Sequence, residues 1–259
     1  MKARKIRIMG IVNVTGDSFY AASRCSGEGI GRRIGEMLTC GADIIDVGAV
    51  STRPGSAAVS EAEEWGRLSE AVPFLEDVET VSVDTFRSGI VRRMSEALGR
   101  PFIVNDVSAG ADPEMLPLVA ELGLPYVAMH NCGPAGAPGE YPEGVVRAVE
   151  DYFDDFSERA DRAGVKDWIL DPGFGFSKNV TDNYELLEGL PQLGRFGREL
   201  LVGVSRKRFV SQPFGLGPEE AGTTTELVHL EAIRLGADIL RVHDVRAAKT
   251  TVALAERLF

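Results

Sequence analysis

A closed barrel of eight parallel strands alternating with helices, the (β/α)8 fold with its active site at the C-terminal ends of the strands, is predicted by three observations. First, eight short apolar runs each stop at a polar or charged residue: Asn13, Asp46, Asp84, Asn105, His130, Asp171, Ser205 and the segment Arg241 to His243. Second, these stops lie 21 to 41 residues apart, and most intervening segments carry a helical pattern of apolar positions, as repeated βα units do. Third, the 259 residues match one barrel, whose usual length is ~250. Strand ends in such a barrel share one face, so the chain aims carboxylates, amides and bases at a single pocket.

Residues 6 to 12 form the first strand, and Asn13 opens a Gly- and Ser-rich loop to about residue 28. That loop exceeds the ~2 to 6 residues usual in α/β units, which marks it as a functional flap. A helix over 30 to 39 leads to the second strand, Ala42 to Val47. Ser51-Thr-Arg-Pro-Gly55 then stops regular structure and forms a second flap. Ser60 followed by acids reads as a helix N-cap, with the helix reaching Leu75. Strand three, Thr80 to Val83, ends at Asp84. A helix over Arg87 to Leu98 precedes strand four, Pro101 to Val104, which ends at Asn105. Strand five covers Pro125 to Met129, and residues 131 to 144 hold four Gly and three Pro, the composition of a loop. Gly144 to Ala163 is an acidic helix, mostly a solvated face. Strands six, seven and eight are Trp168 to Leu170, Leu200 to Val204 and Asp238 to Val242, each followed by helix.

Composition narrows the function. With 44% hydrophobic and 26% charged residues, and no apolar run near the ~18 residues of a membrane span, the chain has an ordinary soluble composition. The basic N-terminus runs directly into a strand without a cleavable apolar region, which predicts a cytoplasmic protein. Cys25, Cys40 and Cys132 lack the spacing of a zinc site or disulfide framework and read as reduced thiols. A net charge of −11 without a basic stretch disfavours nucleic acid and anionic membranes, leaving small molecules as partners.

Asp171-Pro-Gly-Phe-Gly-Phe-Ser-Lys178 is the most unusual stretch. On spacing alone it reads as a turn with a capping Asp. Asp84 and Asn105, at two further strand ends, shift the reading toward a cavity for a flat heterocycle with an amide edge and an amino group. Ser205-Arg-Lys-Arg208 and Arg241-Val-His243 bring cations to the loops after strands seven and eight, where barrels often bind phosphate. Asn13 is a candidate oxygen ligand for a hydrated Mg²⁺ between protein and phosphates. His130 reads as structural, His229 as structural or exposed, and Asp46 and Asp244 as residues that cap or orient backbone.

Seven motifs, in order across residues 6 to about 250, resemble those of the dihydropteroate synthase family of pterin-binding enzymes. They are Met9-Gly-Ile-Val-Asn-Val-Thr15 with Asp17-Ser-Phe19, Gly41 to Gly48 with Ser51-Thr-Arg-Pro-Gly55, Ser82-Val-Asp-Thr85, Val104-Asn-Asp-Val-Ser108, Leu170 to Phe176, Leu201 to Lys207, and Leu240 to Val245. The resemblance implies one pterin-binding TIM barrel domain over 1–259, acting in folate biosynthesis and targeted by sulfonamides. It implies joining of 6-hydroxymethyl-7,8-dihydropterin diphosphate to p-aminobenzoate by a dissociative displacement. By position, Asp84, Asn105, Asp171 and Lys207 hold the pterin, while Asn13, Thr52, Arg53, Arg241 and His243 surround the diphosphate, Asn13 through Mg²⁺. Arg53, Pro54, Phe176, Lys207 and Arg208 line the aminobenzoate pocket. Asp84, Lys207, Arg241 and His243 take part in catalysis, and the family suggests a homodimer.

The chain departs from the family in two places. Gly16 stands where Pro is usual, with Tyr20-Ala-Ala-Ser-Arg replacing an Asp-Gly-Gly pattern, and Asn131-Cys-Gly follows His130 in place of the common Met-Arg-Gly. The alternative readings are a corrinoid-dependent methyltransferase, a non-catalytic pterin-binding paralogue, and an aldolase using Lys207 as a Schiff base. The methyltransferase needs neither the Ser205-Arg-Lys nor the Arg241-Val-His pair.

Overall fold

The computed structural model describes residues 5–14, 27–50, 59–132 and 139–259. The elements run β1 (Arg7–Asn13), α1 (Glu28–Thr39), β2 (Ile44–Gly48), α2 (Glu61–Leu75), β3 (Val81–Asp84), α3 (Ser88–Leu98), β4 (Ile103–Asp106), α4 (Met115–Leu122) and β5 (Tyr126–Met129). They continue with α5 (Val145–Ala163), β6 (Trp168–Asp171), α6 (Val180–Glu188), α7 (Leu190–Leu193), β7 (Leu201–Val202), α8 (Arg208–Ser211), α9 (Gly222–Arg234), β8 (Ile239–Val242) and α10 (Val245–Leu258). All strands pair in parallel in the order β6-β5-β4-β3-β2-β1-β8-β7. The remaining gap, between β6 and β7, is bridged at Leu170 and Leu200, which makes the sheet a barrel.

Side chains alternate across each strand, so the barrel has two apolar compartments. Outward residues such as Ile8, Ile45, Val83, Val104, Ala128 and Leu240 pack beneath the helices in the main core. Inward residues Met9, Ile44, Ile103, Val127, Ile169, Leu201 and Ile239 form a second cluster inside the barrel. This apolar plug closes the interior and leaves the next inward positions to define the floor of a pocket. Each fully buried Ile or Leu contributes about 1.5–3 kcal/mol.

Local signals position the helices. Ser60 caps α2, and Glu63 returns a bond to the Ser60 amide, completing a capping box. Asp244 caps α10 by accepting from the Ala247 amide at 3.0 Å, as its sequence reading anticipated. Four elements differ from expectation. Helix α4 is additional to the elements read from the sequence, and its Pro117 falls in the first turn, where its missing N–H has no helical partner to lose. The acidic helix α5 is less solvated than predicted, since Val149, Phe153, Phe156 and Ala160 are buried along one face. Strand β7 is regular over two residues only, and β2 starts two residues later and extends to Gly48. None of the described helices is long and apolar enough to cross a membrane.

Candidate active site at the barrel mouth

The plug and the site are linked by strand period. Two residues beyond each plug residue, on the same face, lie Ile11, Asp46, Asn105, Met129, Asp171, Gly203 and Arg241. A further step along β1, β2 and β8 brings Asn13, Gly48 and His243. On β3, Ser82 pairs in register with Asp46, and Asp84 lies between Gly48 and Asn105. The strand-end residues predicted to share a pocket therefore do share the barrel mouth. Gly48 clears space for one of them, because a Cβ there would stand 3.1 Å from that of Asp84.

Arg241 ties the mouth together. Its Nη2 donates to Asp84 Oδ2 at 2.5 Å and its Nε to Asp46 Oδ2 at 2.7 Å. Asp46 is fully buried and also accepts from Ser82 Oγ at 2.6 Å and from Asn105 Nδ2 at 3.3 Å. Its expected role as a backbone cap is therefore corrected: Asp46 holds side chains. Burial lifts the Asp84 carboxyl to about 7, with Arg241 opposing the rise and Asp46, Asp106 and Glu64 adding to it. Burial works against the Arg241 charge, but Asp46 and Asp84 outweigh it and hold the guanidinium protonated.

The turn after β6 supplies the opposite wall. Asp171 accepts from the Gly173 amide at 2.8 Å. Burial raises the Asp171 carboxyl, opposed first by Lys207 and then by the Gly173 amide, Arg241 and Lys178. Lys207 Nζ donates to the Phe174 carbonyl and stands 4.7 Å from the centre of the Phe176 ring. Burial lowers Lys207 to about 8 against the pull of Asp171, and Arg241 adds to the lowering. Gly175 gives this lysine room, since a Cβ at that position would lie 2.9 Å from Lys207 Cδ.

Behind the wall, Lys178 Nζ donates to the carbonyls of Gly173 at 2.9 Å and Phe176 at 3.1 Å and meets His130 Nδ1 at 2.9 Å. His130 is fully buried, its other nitrogen lies 2.8 Å from Cys132 Sγ, and burial followed by the Lys178 charge depresses it to about 3. That is the structural histidine expected from sequence. His229, also buried, sits on α9 beside Glu226. His243 faces Ser205, with Nδ1 3.0 Å from its hydroxyl.

The structure thus gathers Asn13, Asp84, Asn105, Asp171, Phe176, Lys207, Arg241 and His243 around one mouth. Arg208 is exposed at the start of α8, and no hydrogen bond or ion pair joins its guanidinium to the other site residues among the described ones. Thr52, Arg53 and Pro54, together with both flaps, lie outside the described residues. Sequence reading missed Asp46 and Ser82 as parts of the site, and Glu64, which accepts from Thr85 at 2.6 Å and pairs with Arg87 to lock the turn after β3. The signal for Asp46 was its inward parity, two residues past Ile44 in an otherwise apolar strand.

The family profile described as "Pterin binding enzyme" matches residues 9–243. The chain belongs to this family. Among its relatives, dihydropteroate synthase of Escherichia coli K12 is 36% identical, over 96% of this chain and 90% of that protein. The Yersinia pestis dihydropteroate synthase, solved with a sulfonamide drug, superposes with a TM-score of 0.89 at 35% identity, covering 98% of this chain and 94% of that one. The Xanthomonas albilineans dihydropteroate synthase, solved with 4-aminobenzoic acid, gives 0.88 at 35% identity, covering 98% and 93%. In this pterin-binding enzyme the shared length spans all eight strands and therefore every wall of the mouth.

Proposed function

We infer that this chain catalyses the dihydropteroate synthase reaction, condensing 6-hydroxymethyl-7,8-dihydropterin diphosphate with p-aminobenzoate to form 7,8-dihydropteroate and pyrophosphate. The observation that carries this reading is the joining of two kinds of group in one network. Arg241, a phosphate-type cation, is bonded directly to Asp84, which pairs in register with Asn105, and its charge also bears on the Asp171 carboxyl.

In this reading Asp171 accepts two adjacent N–H groups of the pterin, a bidentate match that a carboxylate makes well. Asn105 and Lys207 complete the pterin contacts. Arg241 and His243 take the diphosphate, with Thr52 and Arg53 as its further contacts. The aromatic amine is neutral near pH 7, so proton transfer contributes little to the barrier. The pterin C–O bond breaks first, pyrophosphate leaves toward Arg241 and His243, and the Asp84 carboxylate faces the cationic methylene. The amine nitrogen then bonds to that carbon and releases its proton. Phe176, Lys207, Arg208, Arg53 and Pro54 frame the aminobenzoate, and exclusion of water protects the cation.

Mg²⁺ fits the donor set. Asn13 offers one neutral oxygen at the end of β1, beside Gly48 in register, which suits a cation that takes most of its ligands from phosphate and water. Held by Asn13, such an ion would supply charge neutralisation for the diphosphate. We place the enzyme in the cytoplasm, where thiols such as Cys40 and Cys132 stay reduced, and assign it sulfonamides as inhibitors. A homodimer is supported by the exposed Leu227 on α9 and Leu254 on α10, and light scattering at a single-chain mass contradicts it.

Pyrophosphate release tests the reaction. Release that requires both substrates, is stimulated by Mg²⁺ and yields dihydropteroate is the expected result. Tight binding of the pterin diphosphate without turnover contradicts it and favours the non-catalytic reading.

A further inference from the structure

We propose that Asp46 is a positioning residue for this reaction, fixing the plane of Arg241 and the orientation of the Asn105 amide from beneath the pocket floor. The inference rests on the assignment of the reaction above. Asp46 sits midway along β2, fully buried, one inward step past the plug residue Ile44 and one step below Gly48 at the mouth. Its oxygens are saturated from within. Oδ1 accepts from Ser82 Oγ at 2.6 Å and Asn105 Nδ2 at 3.3 Å, while Oδ2 accepts from Arg241 Nε at 2.7 Å and from the same Asn105 nitrogen at 3.3 Å. A carboxylate offers about four lone-pair sites, so none remains for a substrate.

Stability does not account for a charge at this place. Burying a carboxylate carries a large desolvation penalty, and well-packed apolar groups often serve a fold as well as a buried ion pair. Inward neighbours at Ile44, Ile103, Ile169 and Ile239 show that the barrel accepts such groups. What the carboxylate does achieve is orientation. With Nε on Asp46 and Nη2 on Asp84, the Arg241 guanidinium is held at two corners, and its remaining N–H groups point in a fixed direction. With Nδ2 turned to Asp46, Asn105 keeps its amide oxygen on the opposite side, so the amide cannot flip and exchange donor for acceptor. One buried residue thereby sets the diphosphate contact and one pterin contact together.

The test is Asp46→Asn, which keeps the shape and removes the charge, assayed alone and combined with Arg241→Ala. Misplacing a reacting contact by about 1 Å costs ~100-fold, so kcat should fall about 100-fold. KM for p-aminobenzoate, which neither Arg241 nor Asn105 holds in this reading, should stay within about threefold, while KM for the pterin diphosphate rises with its displaced contacts. The double variant should be no slower than Arg241→Ala alone, because residues acting through one another are not additive. A folded Asp46→Asn enzyme with wild-type kcat, or full additivity in the double variant, overturns the proposal. Should Asp46→Asn fail to fold, Ser82→Ala decides. It removes one donor to Asp46 and should lower kcat about three- to tenfold at unchanged KM for p-aminobenzoate, the size of one lost hydrogen bond, whereas wild-type kcat overturns the role. Wild-type turnover is the control that separates the two claims, since its absence sinks the reaction itself and its presence isolates Asp46.

Discussion

Asp84 and Lys207 are the residues whose ionisation is expected to set the working pH. Burial holds the Asp84 carboxyl at about 7, and the account requires its anion opposite the pterin cation. Burial likewise brings Lys207 down to about 8, and the account requires its charge beside the pterin. Activity in kcat/KM, which reports the free enzyme, should therefore rise as pH passes Asp84 and fall as pH passes Lys207. Asp84→Asn should remove the acid limb along with most of the rate. A flat profile from about pH 6 to 9 contradicts these roles. Most of this chemistry was legible residue by residue, because a charged group that ends an apolar run stands out. Asp84, Asn105, Asp171, Arg241 and His243 were found that way. Asp46 was seen but misread, since its partners Arg241 and Asn105 are distant in sequence and meet it only when the barrel closes.

Single elements show where pattern alone falls short. The turn after β6 works because Gly173 adopts a positive φ of 70° and carries no Cβ, which would otherwise lie 2.0 Å from the His130 carbonyl. Gly173→Ala therefore combines backbone strain with a clash against rigid backbone, and about 3 kcal/mol or more of stability should be lost. Gly99 ends α3 at a similar φ of 61° with nothing within 4 Å of an added Cβ. Gly99→Ala should lose only about 1 kcal/mol, the strain alone. Urea denaturation of both variants checks the contrast, and equal losses contradict the packing argument. Strands and helices with clean periodicity were readable to within a residue or two. Helix α4, absent from the sequence reading, carries Pro117 harmlessly in its first turn, and β7 was overestimated because Gly203 and Val204 continue its apolar pattern beyond its paired residues.

At the scale of the whole molecule, the barrel converts strand order into a pocket with two ends. Eight repeats and their closure were readable from spacing, whereas the bridge between Leu170 and Leu200 that closes the ring has no sequence signature of its own. The β3, β4 and β6 ends carry Asp84, Asn105 and Asp171, which the proposed function gives to the pterin, and the β8 end carries Arg241, which it gives to the diphosphate. Asp84 and Asp46 span between them through Arg241. The central claim is that one mouth binds one substrate by these two separable ends. Calorimetric titration of the wild type, Asp171→Asn and Arg241→Ala with a plain dihydropterin and with its diphosphate tests it most directly. Asp171→Asn should weaken both ligands by about 1.5–3 kcal/mol, the worth of hydrogen bonds to a charged group, while Arg241→Ala should weaken the diphosphate alone. Equal losses for both ligands in Arg241→Ala, or undiminished binding in Asp171→Asn, would contradict the account.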